Sequence, residues 1–146
     1  MAPTTAVAPI GSVLPTHLAG LELHTFGVGG DILARLADAH GVAVDDLETA
    51  FASEHGARFI QMYAIRLPGT TATALAATWV AVAYPPGVDD VDVTEETIAG
   101  RLVTVVHAPS LAPQVGTFYL YPRDDILFVV QTFDPVAARE ALAALH

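Results

Sequence analysis

Two pieces of sequence decide the fold: TIAGRLVTVVH at 97–107 and, beyond a Pro-containing stretch, GTFYLYPRDDILFVVQTFDPVAAREALAAL at 116–145. Arg101 to His107 is β-branched and apolar, which suits a pleated, largely buried strand. Thr117 to Tyr121 alternates Thr117, Tyr119 and Tyr121 with Phe118 and Leu120, and Ile126 to Phe133 is a second apolar run. Between them, Pro122-Arg123-Asp124-Asp125 is turn chemistry, because proline presets φ and aspartate tolerates unusual dihedrals. The two runs therefore read as a hairpin. Asp134 then offers an N-cap oxygen, and Pro135 occupies the first helical position, where a missing N–H costs nothing. Ala138, Ala141, Leu142 and Leu145 recur on one helical face.

The earlier part of the chain reads outward from this plan. Leu18 to Phe26 is expected as a strand, with Leu21, Leu23 and Thr25 on one face and Glu22, His24 and Phe26 on the other. Asp31 caps a helix over 32–40 that ends at Gly41. Asp45 caps a second helix running to about Glu54, with Leu47, Ala50 and Phe51 inward, and the two helices make an αα-hairpin. Arg58 to Arg66 is the next strand, and Pro68-Gly69 turns the chain. Thr70 or Thr71 caps a helix from about Ala72 to Ala83 that carries Leu75, Trp79 and Val82 to the core. Asp89 to Glu96 reads as an acidic, solvated connection. Residues 1–17, rich in Pro, Thr and Ala, are expected as a flexible lead-in, and residues 18–146 as a single domain. The expected fold is α+β: an about five-stranded, largely antiparallel sheet with helices packed on one face. The strand–turn–helix of 59–78 matches 126–144 in type and order, the pattern of an internal β–x–β–α duplication.

Composition narrows the function. The chain has no cysteine among its 146 residues, which excludes a disulfide framework, a thiolate metal site and a thiol nucleophile. Charged residues are only 15% and hydrophobic residues 53%, so either Ala and Val are shared between core and surface or another subunit covers part of the surface. The net charge is −10 and the six basic residues are scattered arginines, a balance that excludes charge-driven binding to nucleic acid or to an anionic membrane. The absence of lysine and asparagine reads as codon bias of a GC-rich bacterial genome. No apolar run has the length and flanks of a membrane span. Nothing fixes a compartment: cytoplasmic is the default, and a secreted or tethered domain stays open.

Motifs for chemistry are weak. Gly27-Val28-Gly29-Gly30 lacks the third glycine of a dinucleotide loop, and Asp31 puts negative charge where a phosphate would sit. The six histidines form no HxH or HxxxH pair; His24 and His107 could meet only across a sheet. The acidic run at 89–96 lacks the spacing of a calcium loop, and Ser12, Ser53 and Ser110 lie in no nucleophile elbow. The sequence thus implies no catalytic residue, no cofactor and no metal. Strands apolar on both sides, with helices on one face only, would leave a face carrying Gln61, Tyr63, Tyr119, Tyr121 and Gln131. The leading expectation is a non-catalytic interaction or assembly module that uses that helix-free face to bind protein, a second copy of itself included. One alternative is an apolar small-molecule binder lined by Trp79 or the tyrosines. The other is an enzyme with His24 or His107 as base.

Overall fold

The computed structural model describes residues 17–18, 21–22, 24–25, 31–54, 60–82, 87–110, 117–132 and 134–145. In chain order they form β1 (His17–Leu18), β2 (Leu21–Glu22), β3 (His24–Thr25), α1 (Asp31–Ala39), a short 3-10 turn (Val44–Asp46), β4 (Glu48–Glu54), β5 (Ile60–Arg66), α2 (Ala72–Val82), β6 (Asp92–Ile98), β7 (Arg101–His107), β8 (Thr117–Arg123), β9 (Ile126–Gln131) and α3 (Pro135–Ala144). Six full strands and the two-residue β3 make one antiparallel sheet in the order β3-β4-β5-β9-β8-β7-β6, and β1 pairs with β2 separately. The α+β class and the antiparallel sheet are those the sequence implies. The Gly27–Gly30 loop and residues 1–16 lie outside the described residues.

Local chemistry sets the element ends. Asp134 accepts a hydrogen bond at Oδ1 from the Val136 amide (2.9 Å) with Pro135 next to it, the expected cap of α3. Thr71 Oγ1 accepts from the Ala74 amide at the start of α2 (3.1 Å). In Leu67-Pro68-Gly69-Thr70 the Thr70 amide donates to the Leu67 carbonyl (2.9 Å), and Gly69 takes φ 85°, which a type II turn demands at its third residue. The β6–β7 connection is a two-residue loop, Ala99-Gly100, with φ of 52° and 76°, the signs of a type I′ hairpin turn.

The sheet is covered on both faces, and here the structure departs from the expected single helical layer. On one face Leu33, Leu36, Leu75 and Trp79 of α1 and α2 pack on Ile65, Leu127, Val129, Phe118 and Leu120. On the other, Ala138, Ala141 and Leu142 of α3, with Leu145 just beyond it, pack on Met62, Ala64, Phe128, Val130 and Tyr119. Strands apolar on both sides need cover on both sides, and β9 is buried at every position. The duplication fares accordingly. A rotation exchanging the antiparallel neighbours β5 and β9 keeps a helix on its own face, whereas α2 and α3 lie on opposite faces.

Three further expectations are corrected. The second helix of the αα-hairpin is strand β4, paired with β5 over seven residues from Glu48↔Arg66 to Glu54↔Ile60. Ladder bonds to a neighbour outweigh a helical spacing of three apolar residues. The strand expected over 18–26 is divided, because Leu18 pairs with Leu21 while His24 and Thr25 pair with β4. The acidic connection contains a full edge strand, β6, whose first six residues are exposed.

Glu48 and Arg66 face each other across β4 and β5 in a two-pronged ion pair, Nε to Oε2 at 2.8 Å and Nη2 to Oε1 at 2.9 Å. The Arg66 side chain is only 6% exposed and the Glu48 side chain 44%. The hydrogen bonds from Arg66 hold the Glu48 carboxyl below its ordinary pKa. A depressed folded-state value means that the pair stabilises fully above the ordinary glutamate pKa and that this contribution is lost as pH falls through the depressed value. Glu48→Gln is therefore expected to cost about 1–2 kcal/mol at neutral pH, a figure discounted for the exposed carboxylate. Urea denaturation at neutral pH and again well below the carboxylate range checks it. A gap between wild type and variant that persists in acid would contradict the pair as its source.

Candidate functional site

The six residues singled out from sequence do not share a surface. Trp79 is fully buried between α2 and the sheet, its ring 5.7 Å from that of Tyr63 and 5.6 Å, edge-on, from that of Phe118. Strand alternation puts Gln61, Tyr63 and Gln131 on this same face, and Tyr63 donates a long hydrogen bond to Gln61 Oε1 (3.4 Å). Burial raises the Tyr63 pKa and keeps the phenol neutral. Tyr119 and Tyr121 lie on the opposite face. Tyr119 is 8% exposed, and Tyr121 stacks on Phe128 with centroids 6.0 Å apart. No helix-free face carries all of them.

The histidine readings separate as well. His24 on β3 and His107 on β7 stand five strand positions apart in the sheet order, about 24 Å at the usual strand spacing, too far to share a metal ion. His107 Nδ1 instead pairs with Thr117 Oγ1 at 2.8 Å. Within the acidic run, Asp90 accepts hydrogen bonds from the amide and hydroxyl of Ser110 (2.6 and 2.7 Å), which hold its carboxyl below its ordinary pKa. No group of three or more ligating side chains gathers among the described residues.

The arrangement that does stand out is a groove of about 540 Å³ between α2 and the β6–β7 hairpin. It exists because the sheet is wider than its helical layer. On this face α2 lies over β8 and β9 with α1 beside it, so among the described residues β6, and β7 from Thr104 to its turn, continue past the helix uncovered, whereas Val106 of β7 is buried. The wall is a stripe of small residues on α2, Thr73, Ala76, Ala77 and Val80, at helical i, i+3, i+4, i+7 spacing. The floor is Val93 and Glu95 of β6, Leu102 and Thr104 of β7, and Leu120 and Pro122 of β8. Pro122 shapes one end. Pairing of β7 with β8 stops at Thr104↔Leu120, two residues before the proline, which has no N–H for a ladder. Beyond that point the hairpin continues as a two-stranded ribbon to its turn.

Leu102 on the ribbon is 62% exposed and Val93, on β6 ahead of it, 52%, two of the three large apolar side chains most open to solvent among the described residues. The ribbon's reverse side is tied down. Arg101 donates from Nη2 to the Leu145 carbonyl (2.6 Å) and lies 5.2 Å over the Tyr121 ring. Arg123 likewise lies 5.3 Å over the Phe128 ring. Both guanidinium groups are thus on the α3 face, while Glu95 is the one ionisable residue in the groove lining. Sequence reasoning missed the groove because β6 reads as a linker. The available signal was the second stripe on α2, next to the buried row of Ala72, Leu75, Ala76 and Trp79.

No family model, no curated protein and no solved structure matches this chain. No helix among the described residues is long and apolar enough to cross a membrane.

Proposed function

We propose that this domain is a non-catalytic binding module and that the groove between α2 and the β6–β7 ribbon is its contact surface. The observation that supports this is the coincidence of a 540 Å³ apolar groove with Val93 and Leu102 left 52% and 62% exposed beside it. Exposed large apolar groups gathered around a concavity mark a binding surface in a way that scattered ones do not. The reading keeps the sequence expectation of an interaction module and moves it from a helix-free face to the uncovered edge of the α2 face. The groove takes a protein segment, a second copy included, or a small apolar molecule.

Nile red, a neutral apolar dye, tests the surface itself. Its emission is expected to rise saturably with the protein, and Ala77→Trp, which fills the groove from an exposed helix position, is expected to abolish the rise. A saturable response that Ala77→Trp leaves unchanged would place the apolar surface elsewhere and refute the proposal. Light scattering over a wide concentration range reads self-association separately.

A further inference from the structure

Resting on that reading, we infer that the groove receives a basic amphipathic helix of a partner protein, laid alongside α2 on the uncovered strands. Three features of the molecule select this occupant.

The first is shape. Two adjacent strands give a floor about 10 Å wide, the width of one helix with its side chains. The wall from Thr73 to Val80 runs about 10 Å along α2, so about two turns of an incoming helix lie in the groove. The helical layer already runs from α1 to α2, and among the described residues the next position in that layer, over β6 and the turn end of β7, is vacant. The small wall residues Ala76 and Ala77 let a second helix approach α2 closely. The groove is partly open to solvent, whereas a small-molecule pocket encloses most of its ligand.

The second is charge. Glu95 is the only ionisable group in the lining among the described residues, and α2 has no charged residue at all. Arg101 and Arg123, the arginines of the adjoining strands, are held on the far face by Leu145 and by aromatic rings. With a net charge of −10 behind it, this side of the sheet attracts a cationic segment and repels an anionic one.

The third bears on the other occupants. The open edge of β6 carries Asp92, Glu95 and Glu96, the charged edge that resists strand addition. A second copy pairing edge to edge would set these carboxylates against one another. A partner with lysine or arginine flanking an apolar stripe meets both the groove and its charge.

The test uses two synthetic peptides of about 14 residues, four turns, one of leucine and lysine and one of leucine and glutamate in the same amphipathic pattern. Fluorescence anisotropy with the full chain is expected to show saturable binding of the lysine peptide only. Leu102→Gln, an exposed position that leaves the fold intact by circular dichroism, is expected to weaken binding about tenfold. Glu95→Gln is expected to weaken it about threefold and to flatten its salt dependence. Val136→Gln, an exposed apolar site on α3, is expected to change nothing. Equal binding of both peptides, or lysine-peptide binding indifferent to Leu102→Gln, would overturn the inference. So would saturable dodecyltrimethylammonium binding at the groove with no peptide binding, or a dimer broken by Leu102→Gln. Groove-dependent Nile red binding without peptide binding overturns the helix and spares the groove; loss of both removes the underlying reading.

Discussion

Trp79→Ala is expected to cost about 3–5 kcal/mol, a large share of the roughly 5–15 kcal/mol that holds a domain of this size folded. Trp79 is the largest of the fully buried side chains, and it fills the space between α2 and the sheet against Tyr63 and Phe118. Its ring neighbours lie on two different strands, β5 and β8, so the cavity cannot close by the shift of one element. Trp79→Phe separates size from polarity. The indole Nε1 is buried and has no hydrogen-bond partner among the described residues. An unpaired buried donor costs about 1–3 kcal/mol, and phenylalanine removes it along with part of the ring. Trp79→Phe is therefore expected to lose less than half of what Trp79→Ala loses, measured as a shift in urea midpoint at constant m value. Equal losses would mean that the indole N–H is bonded in solution.

Leu142→Ala acts on the opposite face and is expected to cost about 2–4 kcal/mol. The buried row of α3 is Ala137, Ala138, Ala141 and Leu142, so Leu142, with Leu145 just past the helix, supplies most of the volume that holds this layer down. The sheet separates this cluster from the one around Trp79. The damage is therefore expected to be local. Hydrogen exchange should show amide protection falling first in α3, with α2 protected up to the global stability. Equal loss of protection in α2 and α3 would show that the two layers open as one unit.

How much of this was legible in the sequence differs element by element, for physical reasons. β7, the β8–β9 hairpin and the capped α3 were readable because Asp134, Pro135 and the Asp124-Asp125 turn act locally. α2 was readable through Leu75 and Trp79. β4 was not, because Leu47, Ala50 and Phe51 fit a helical period and only the partner β5 settles the matter. β6 was not, because an edge strand exposed on both faces has no apolar alternation to reveal it; its β-branched Val93, Thr94, Thr97 and Ile98 were the available sign. The apolar character of β5, β7 and β9 on both faces is visible in the sequence, but it implies a second covering layer, which α3 supplies. The candidate site suffered most. The aromatic residues read as surface only if one sheet face is bare, whereas the open apolar side chains of the sheet are the aliphatic Val93 and Leu102.

The β6–β7 ribbon has a mechanical consequence. It is a lever whose fulcrum is the last cross-strand pair before Pro122, Thr104 with Leu120. Its tip is moored on the α3 face by the bond from Arg101 to the Leu145 carbonyl. Tilting the tip toward α2 would stretch that bond, and tilting it toward α3 would slacken it. The tip of the hairpin and the end of α3 are thus joined by one side chain, between residues 44 apart in the chain.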